Sequence, residues 1–314
     1  MKRLSSIFGI LCATLLPAAD TPLDIAIGQA RAGNCPAAIQ TLNGVFGVAA
    51  KLNAANPAET AYLLAADCQQ RLGQADVAVK TLRDGLRRYP TSGPLQRVLG
   101  QTLFRKQFDS AEAGEFLRKA TIRVPRDPES RHYYAQWAYV NFRERLCLEQ
   151  EQAALTIPGL NDLALLQMNT LLALCAARVE DSALAMKSFQ AANSINLRQI
   201  DYDPVAAWEY IQFLNRYGSD KEAQSIIDQI LDRVPRFGPA HLEKAKSFDR
   251  LHNPIRAMDE AQLTLVSSGN DINIERAAHG ILAKSYFALG RNREAEAEQA
   301  WIQAHPNPET PLQR

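Results

Sequence analysis

Small and large apolar residues recur along this chain at a fixed spacing. Three segments share one arrangement, Ala78-x3-Leu82-x7-Pro90, Ala113-x3-Leu117-x7-Pro125 and Ala223-x3-Ile227-x7-Pro235. Each closes on Arg-x-Pro, through Arg88, Arg123 and Arg233. A four-residue step puts both apolar positions on one face of a helix. Proline then ends that helix, because it has no amide proton to continue the ladder. An arginine in the last turn meets the negative end of the helix dipole. Pro90 and Pro125 are 35 residues apart, Pro125 and Pro158 33, and Ala223 and Ala257 34. A helical pair of this length leaves an apolar face that only a neighbouring copy covers, so the pattern predicts stacked helical hairpins.

Further copies are looser. His279-x2-Leu282-Ala283-x2-Tyr286 precedes Leu289-Gly290 and Glu294-Ala295, and Tyr62-x2-Ala65-Ala66 precedes Leu72-Gly73. Trp208 and Leu214 precede Gly218, and residues 166–197 add Leu172, Ala173, Ala185, Phe189 and Ala192. Residues 23–50 contribute Gly33, Ala38 and Leu42, while 128–158 is the most degenerate copy and has no glycine at its inter-helix turn. With its small residues, turn glycine and closing proline, the chain resembles the tetratricopeptide repeat family, whose period is ~34 residues.

The resemblance runs over residues 23–305 and implies an all-α fold, an α-solenoid of seven or eight helix-turn-helix repeats. The first aromatic of the family pattern is mostly missing, and Ala38 lies 40 residues before Ala78, an excess assigned to a longer loop around Lys51–Pro57. In this family the first helix of each pair lines a concave surface. By that frame the groove residues are Arg97, Gln101, Arg105, His132, Gln136, Tyr139, Trp208, Gln212, Asn215, Arg216, Lys246, Arg250 and Lys284. Their long polar side chains suit a protein or extended peptide partner, acidic or carrying a free carboxylate. Within the aromatic run Tyr133, Tyr134, Trp137, Tyr139 and Phe142, Tyr139 alone is expected to be exposed.

The ends of the chain read differently. Lys2 and Arg3 precede an apolar run from Leu4 to Leu16, and Pro17-Ala18-Ala19-Asp20 follows. A charged start, a short apolar stretch and a small-residue exit describe a secretory signal peptide over residues 1–19, and hence an exported, periplasmic or extracellular chain. No other apolar run approaches the ~20 residues of a membrane span. Residues 306–314, with Pro306, Pro308 and Pro311, read as a disordered tail. Beyond the leader are four cysteines, Cys35, Cys68, Cys147 and Cys175. In the hairpin frame the start of one helix meets the end of its antiparallel neighbour, which pairs Cys35 with Cys68 and Cys147 with Cys175. An oxidising compartment favours two such disulfides; the alternative is four buried thiols packed as small apolar side chains.

Lys and Arg total 35 against 34 Asp and Glu, which argues against a nucleic-acid binder. Residues 80–145 nonetheless hold 14 basic against 7 acidic residues, read as solvated faces or a basic stretch of groove. No phosphate-binding glycine loop, dinucleotide fingerprint, paired-histidine zinc helix or nucleophile elbow occurs. No cysteine stands near a second ligand at metal spacing, so neither metal nor cofactor is expected. His279 reads as a packing residue in the place of the pattern's aromatic, and Asp203 as the N-cap of a helix opening at Pro204. The sequence therefore favours a non-enzymatic interaction scaffold of the cell envelope. The alternative is a helical-repeat enzyme or accessory subunit acting on envelope glycans.

Overall fold

The structure is a computed structural model that describes residues 21–52 and 58–306; the segment read as a signal peptide, most of the expected insertion and the end of the tail lie outside the described residues. It divides into two compact units at Pro125. In the first, three helical hairpins follow one another: α1 (Pro22–Arg31) with α2 (Cys35–Leu52), α3 (Glu59–Arg71) with α4 (Ala75–Arg88), and α5 (Gly93–Lys106) with α6 (Ala111–Arg123). The second holds five: α7 (Pro128–Val140) with α8 (Glu144–Leu155), α9 (Asp162–Arg178) with α10 (Ser182–Asn196), α11 (Pro204–Tyr217) with α12 (Asp220–Arg233), α13 (Gly238–Arg250) with α14 (Pro254–Ser267), and α15 (Ile272–Ala288) with α16 (Asn292–Ala304). The described residues form no strand.

The repeated apolar positions are the core. Ala78, Leu82, Ala113 and Leu117 are fully buried, and Ala223 and Ile227 nearly so. Burying one such large side chain stabilises by about 1.5–3 kcal/mol. The helices before the three repeated prolines end at the predicted arginines, Arg88, Arg123 and Arg233. Close helix contact depends on small residues: a Cβ on Gly100 of α5 would stand 2.7 Å from Cγ of Leu117 on α6.

Six of the eight inter-helix turns carry a left-handed residue. Gly33, Gly73 and Gly290 supply it with φ of +80°, +74° and +74°. Three other turns have no glycine, and Phe142, Glu180 and His252 take positive φ instead. The degenerate copy thus keeps the turn geometry and puts Phe142, rather than Tyr139, into solvent: Phe142 is 64% exposed.

Candidate functional site

Within residues 126–314 the first helices of three successive hairpins, α7, α9 and α11, lie side by side. Each offers one stripe of side chains at helical spacing. α7 gives His132, Gln136 and Tyr139; α9 gives Gln167, Thr170, Leu171, Leu174 and Arg178; α11 gives Ala206, Glu209, Gln212, Phe213 and Arg216. These stripes line two recesses of about 340 and 290 Å³ that share Leu174 and Glu209, forming one groove.

The start of α11 is fixed from both sides. Asp203 caps it as predicted, its carboxylate accepting from the amides of Val205 (2.9 Å) and Ala206 (3.1 Å), with Pro204 at the first helical position. The buried Asn196 at the end of α10 clamps the backbone of Asp203, donating to its carbonyl (2.6 Å) and accepting from its amide (2.8 Å). A disulfide between Cys147 and Cys175, with Cα atoms 6.0 Å apart, ties α8 to α9. It therefore braces the hairpin that carries Tyr139 against the one that carries Arg178.

Charge in the groove is unevenly satisfied. The Arg178 guanidinium donates to the carbonyl of Tyr139 at 2.5 Å and lies 3.5 Å from the centre of its ring. Arg216 sits 5.0 Å over the ring of Tyr217. Burial pushes the Tyr139 hydroxyl above its ordinary range, partly offset by Arg178. Glu209 is half-buried at the junction of the two recesses, and burial alone raises its carboxyl above the ordinary carboxylate value. No hydrogen bond or ion pair reaches it among the described residues.

The thirteen residues expected to line a groove separate into three sets. Gln136, Tyr139, Gln212 and Arg216 do line it. Tyr139 is half-buried beneath Arg178, not the exposed aromatic that the sequence implied. His132 touches the groove wall but is 6% exposed, and its Nδ1 is hydrogen-bonded to the fully buried Glu151. It is a core residue, because α8 supplies a carboxylate directly behind it.

A second set is absorbed into internal pairs. Glu243 on α13 is 3% exposed, and one oxygen accepts from Gln212 (3.0 Å) and Lys246 (2.8 Å) while the other accepts from Asn215 (2.8 Å). Arg250 faces Asp220 at 3.8 Å and Lys284 faces Asp249 at 3.3 Å. Trp208 packs against the core of the α9–α12 region. Cations expected to receive a partner's carboxylate thus already hold carboxylates of this chain.

The third set, Arg97, Gln101 and Arg105, belongs to α5 in residues 21–125. A recess in that unit lies mainly on the second helices α2 and α4, among Asn43, Phe46, Lys80 and Thr81, with Tyr62 and Gln69 of α3 on its wall. Part of the basic stretch is spent in exposed ion pairs, such as Arg83–Glu112 (2.7 Å), Lys106–Asp76 and Arg118–Glu115 (3.0 Å). Exposed pairs of this kind contribute little, about 0–1 kcal/mol each.

Cys35 and Cys68 meet in one buried cluster as foreseen, but they are two free thiols rather than a disulfide. Burial, then a hydrogen bond with Cys35, pushes the Cys68 thiol up to about 12. His279 packs on Trp301, ring centroids 3.8 Å apart, and is hydrogen-bonded to Glu298. His132, His241 and His279 each reach a glutamate 19 residues onward, in the second helix of the same hairpin. Among the described residues no group of three His, Cys, Asp or Glu gathers as metal ligands, and no helix is long and apolar enough to cross a membrane.

No protein-family profile matches the chain, and no curated protein matches it. Solved structures do. A tetratricopeptide repeat protein from Parabacteroides merdae aligns at a TM-score of 0.60 with 11% identity, covering 84% of this chain and 97% of that one. The fold is tetratricopeptide-like. PilF of Pseudomonas aeruginosa aligns at 0.56 with 19% identity, over 68% of this chain and 93% of its own. The Cut9–Hcn1 hetero-tetramer of the APC/C gives 0.53 with 15% identity, over 85% of this chain and half of that one. At these identities the likeness speaks for the fold.

Sequence reasoning missed one wall of the groove. Gln167, Thr170, Leu174 and Arg178 come from α9, whose copy was read only for its apolar matches. Glu209 and Phe213 were missed as well, although they stand three residues before and one after Gln212 on the same stripe. Helical spacing from Gln212 and Arg216 was the signal that would have found them.

Proposed function

We propose that this chain is a non-enzymatic interaction scaffold that holds an extended segment of a protein or peptide partner along the groove of α7, α9 and α11. The observation that carries the reading is the continuity of that groove. Three successive first helices contribute one stripe each, and two recesses join through Leu174 and Glu209. A surface of this kind offers aromatic faces, amides and charges at helical intervals, which suits a partner read along its length. We place the scaffold outside the cytoplasm, in the cell envelope. The leader-like segment before Asp20 and the Cys147–Cys175 bond both support that placement.

A photo-crosslinking residue at Gln167, exposed in the groove, is compared with one at Lys187, exposed on the second helix α10. In an envelope fraction the groove position is expected to yield a discrete protein adduct and Lys187 none. Adducts at Lys187 alone would move the interaction to the outer face. Retention of an uncleaved chain in the cytoplasm would overturn the placement.

A further inference from the structure

We infer that Glu209 receives a lysine or arginine side chain of the partner, so that the groove selects an extended segment with a basic residue at one defined position. This rests on the groove reading above and adds the chemistry of the occupant.

The argument begins with what Glu209 lacks. A half-buried carboxylate has given up part of its hydration, and folded chains normally return hydrogen bonds or an opposite charge for that loss. Two other carboxylates of residues 126–314 follow the rule. Glu243 collects three donors, and Glu260 is hydrogen-bonded to His241 with Lys244 at 3.6 Å. Glu209 has no such partner, and its carboxyl is held up by burial with no cation opposing the effect. The two guanidiniums lining the same recess are turned elsewhere. Arg178 is engaged with the carbonyl and ring of Tyr139, and Arg216 lies over Tyr217. Arg216 is two helical turns further along α11, about 10 Å of helix rise away.

The surroundings of Glu209 match the rest of a basic side chain. Leu171 and Leu174 form an apolar wall for its aliphatic stem. The Tyr139 ring in the adjoining recess is already covered by Arg178 and Phe213 is 5% exposed, so the attraction for a cationic head comes from the carboxylate itself. An acidic or purely apolar occupant would leave the carboxylate desolvated and unpaired, at higher cost than in the empty groove. Charge complementarity therefore favours a cation at this point.

The test uses the full chain and an array of randomised octapeptides. Wild-type protein is expected to retain peptides enriched in Lys or Arg at one position. For a selected peptide, replacing that lysine by acetyl-lysine, which keeps the stem and removes the charge, should weaken binding by at least about tenfold. Glu209→Gln, nearly isosteric, should lose the same factor, and acetylation should then have no further effect on that variant. Far-UV circular dichroism identifies a misfolded variant, and the acetylation arm on wild-type protein stands without it. If peptides bind with no basic preference, or acetylation costs the wild type and Glu209→Gln equally, this inference is wrong while the groove reading stands. If no peptide is retained at all, both fall.

Discussion

Replacing Asn215 by alanine separates two accounts of one residue. The family frame puts Asn215 in a binding surface, where truncation would cost affinity and leave stability within about 0.5 kcal/mol. The structure gives its amide a different task. The side chain donates at 2.8 Å to the Glu243 oxygen that neither Gln212 nor Lys246 reaches, and Glu243 is 3% exposed. Hydrogen bonds to charged groups contribute about 1.5–3 kcal/mol. Asn215 is itself exposed, so water recovers part of the loss, and about 1–2 kcal/mol is expected. For a unit the size of residues 126–314 that lowers Tm by roughly 2–8 °C. Arg216→Ala, one residue on and without an ion pair, should stay within ~2 °C. Thermal unfolding followed by circular dichroism measures both. A second variant, Glu243→Gln, removes the charge that all three donors share and should destabilise at least as much as Asn215→Ala. If Asn215→Ala and Glu243→Gln both melt with the wild type, the buried carboxylate does not hold α11 on α13 and the reasoning fails.

Three further outcomes follow from the geometry. His241 is raised above its ordinary value, chiefly by its hydrogen bond to Glu260. Burial pushes Glu260 up, but His241 and Lys244 outweigh it and hold the carboxyl lower. The histidine's contribution is full below its ordinary 6.5 and fades as pH rises through the raised value; the glutamate's is full above its ordinary 4.5 and fades as pH falls. The Tm gap between wild type and His241→Gln should therefore be widest between about pH 4.5 and 6.5 and narrow towards pH 8; a gap that widens with pH contradicts the pairing. Peptide mapping after alkylation of the unfolded, unreduced chain should label Cys35 and Cys68 and leave Cys147 joined to Cys175. In the native chain Cys68 should react slowly, because its thiol is pushed up to about 12 and so carries little thiolate. Rapid native labelling of Cys68 would show that it is not enclosed. Gly100→Ala drives a methyl to 2.7 Å from Leu117 Cγ and 3.1 Å from the Ala113 carbonyl, and should cost about 1–3 kcal/mol in chemical denaturation; unchanged stability would mean that α5 and α6 separate freely.

What the sequence disclosed and what it hid have a common physical cause. Ala78, Leu82 and Pro90 reveal themselves because burial and helix termination act through local spacing. Asp203 reveals itself because a cap acts within three residues of its own position. Glu243 and Glu151 stay hidden because the amides and the histidine that reach them lie on other helices, where residue type alone does not separate a groove side chain from one spent on a buried carboxylate. The turns at Phe142, Glu180 and His252 were illegible for a related reason. Packing of the flanking helices imposes positive φ there without recruiting glycine. Glu209 lay outside the positions chosen by the frame, and its significance comes from a missing partner, which only the packed helices reveal.

Backbone hydrogen exchange of the full chain, alone and saturated with its selected peptide, bears most directly on the claim that the groove of α7, α9 and α11 is the binding surface. The account predicts added protection along residues 132–139, 166–178 and 205–217, with the second helices α8, α10 and α12 unchanged. Protection confined to those second helices, or to residues 21–125, would contradict it.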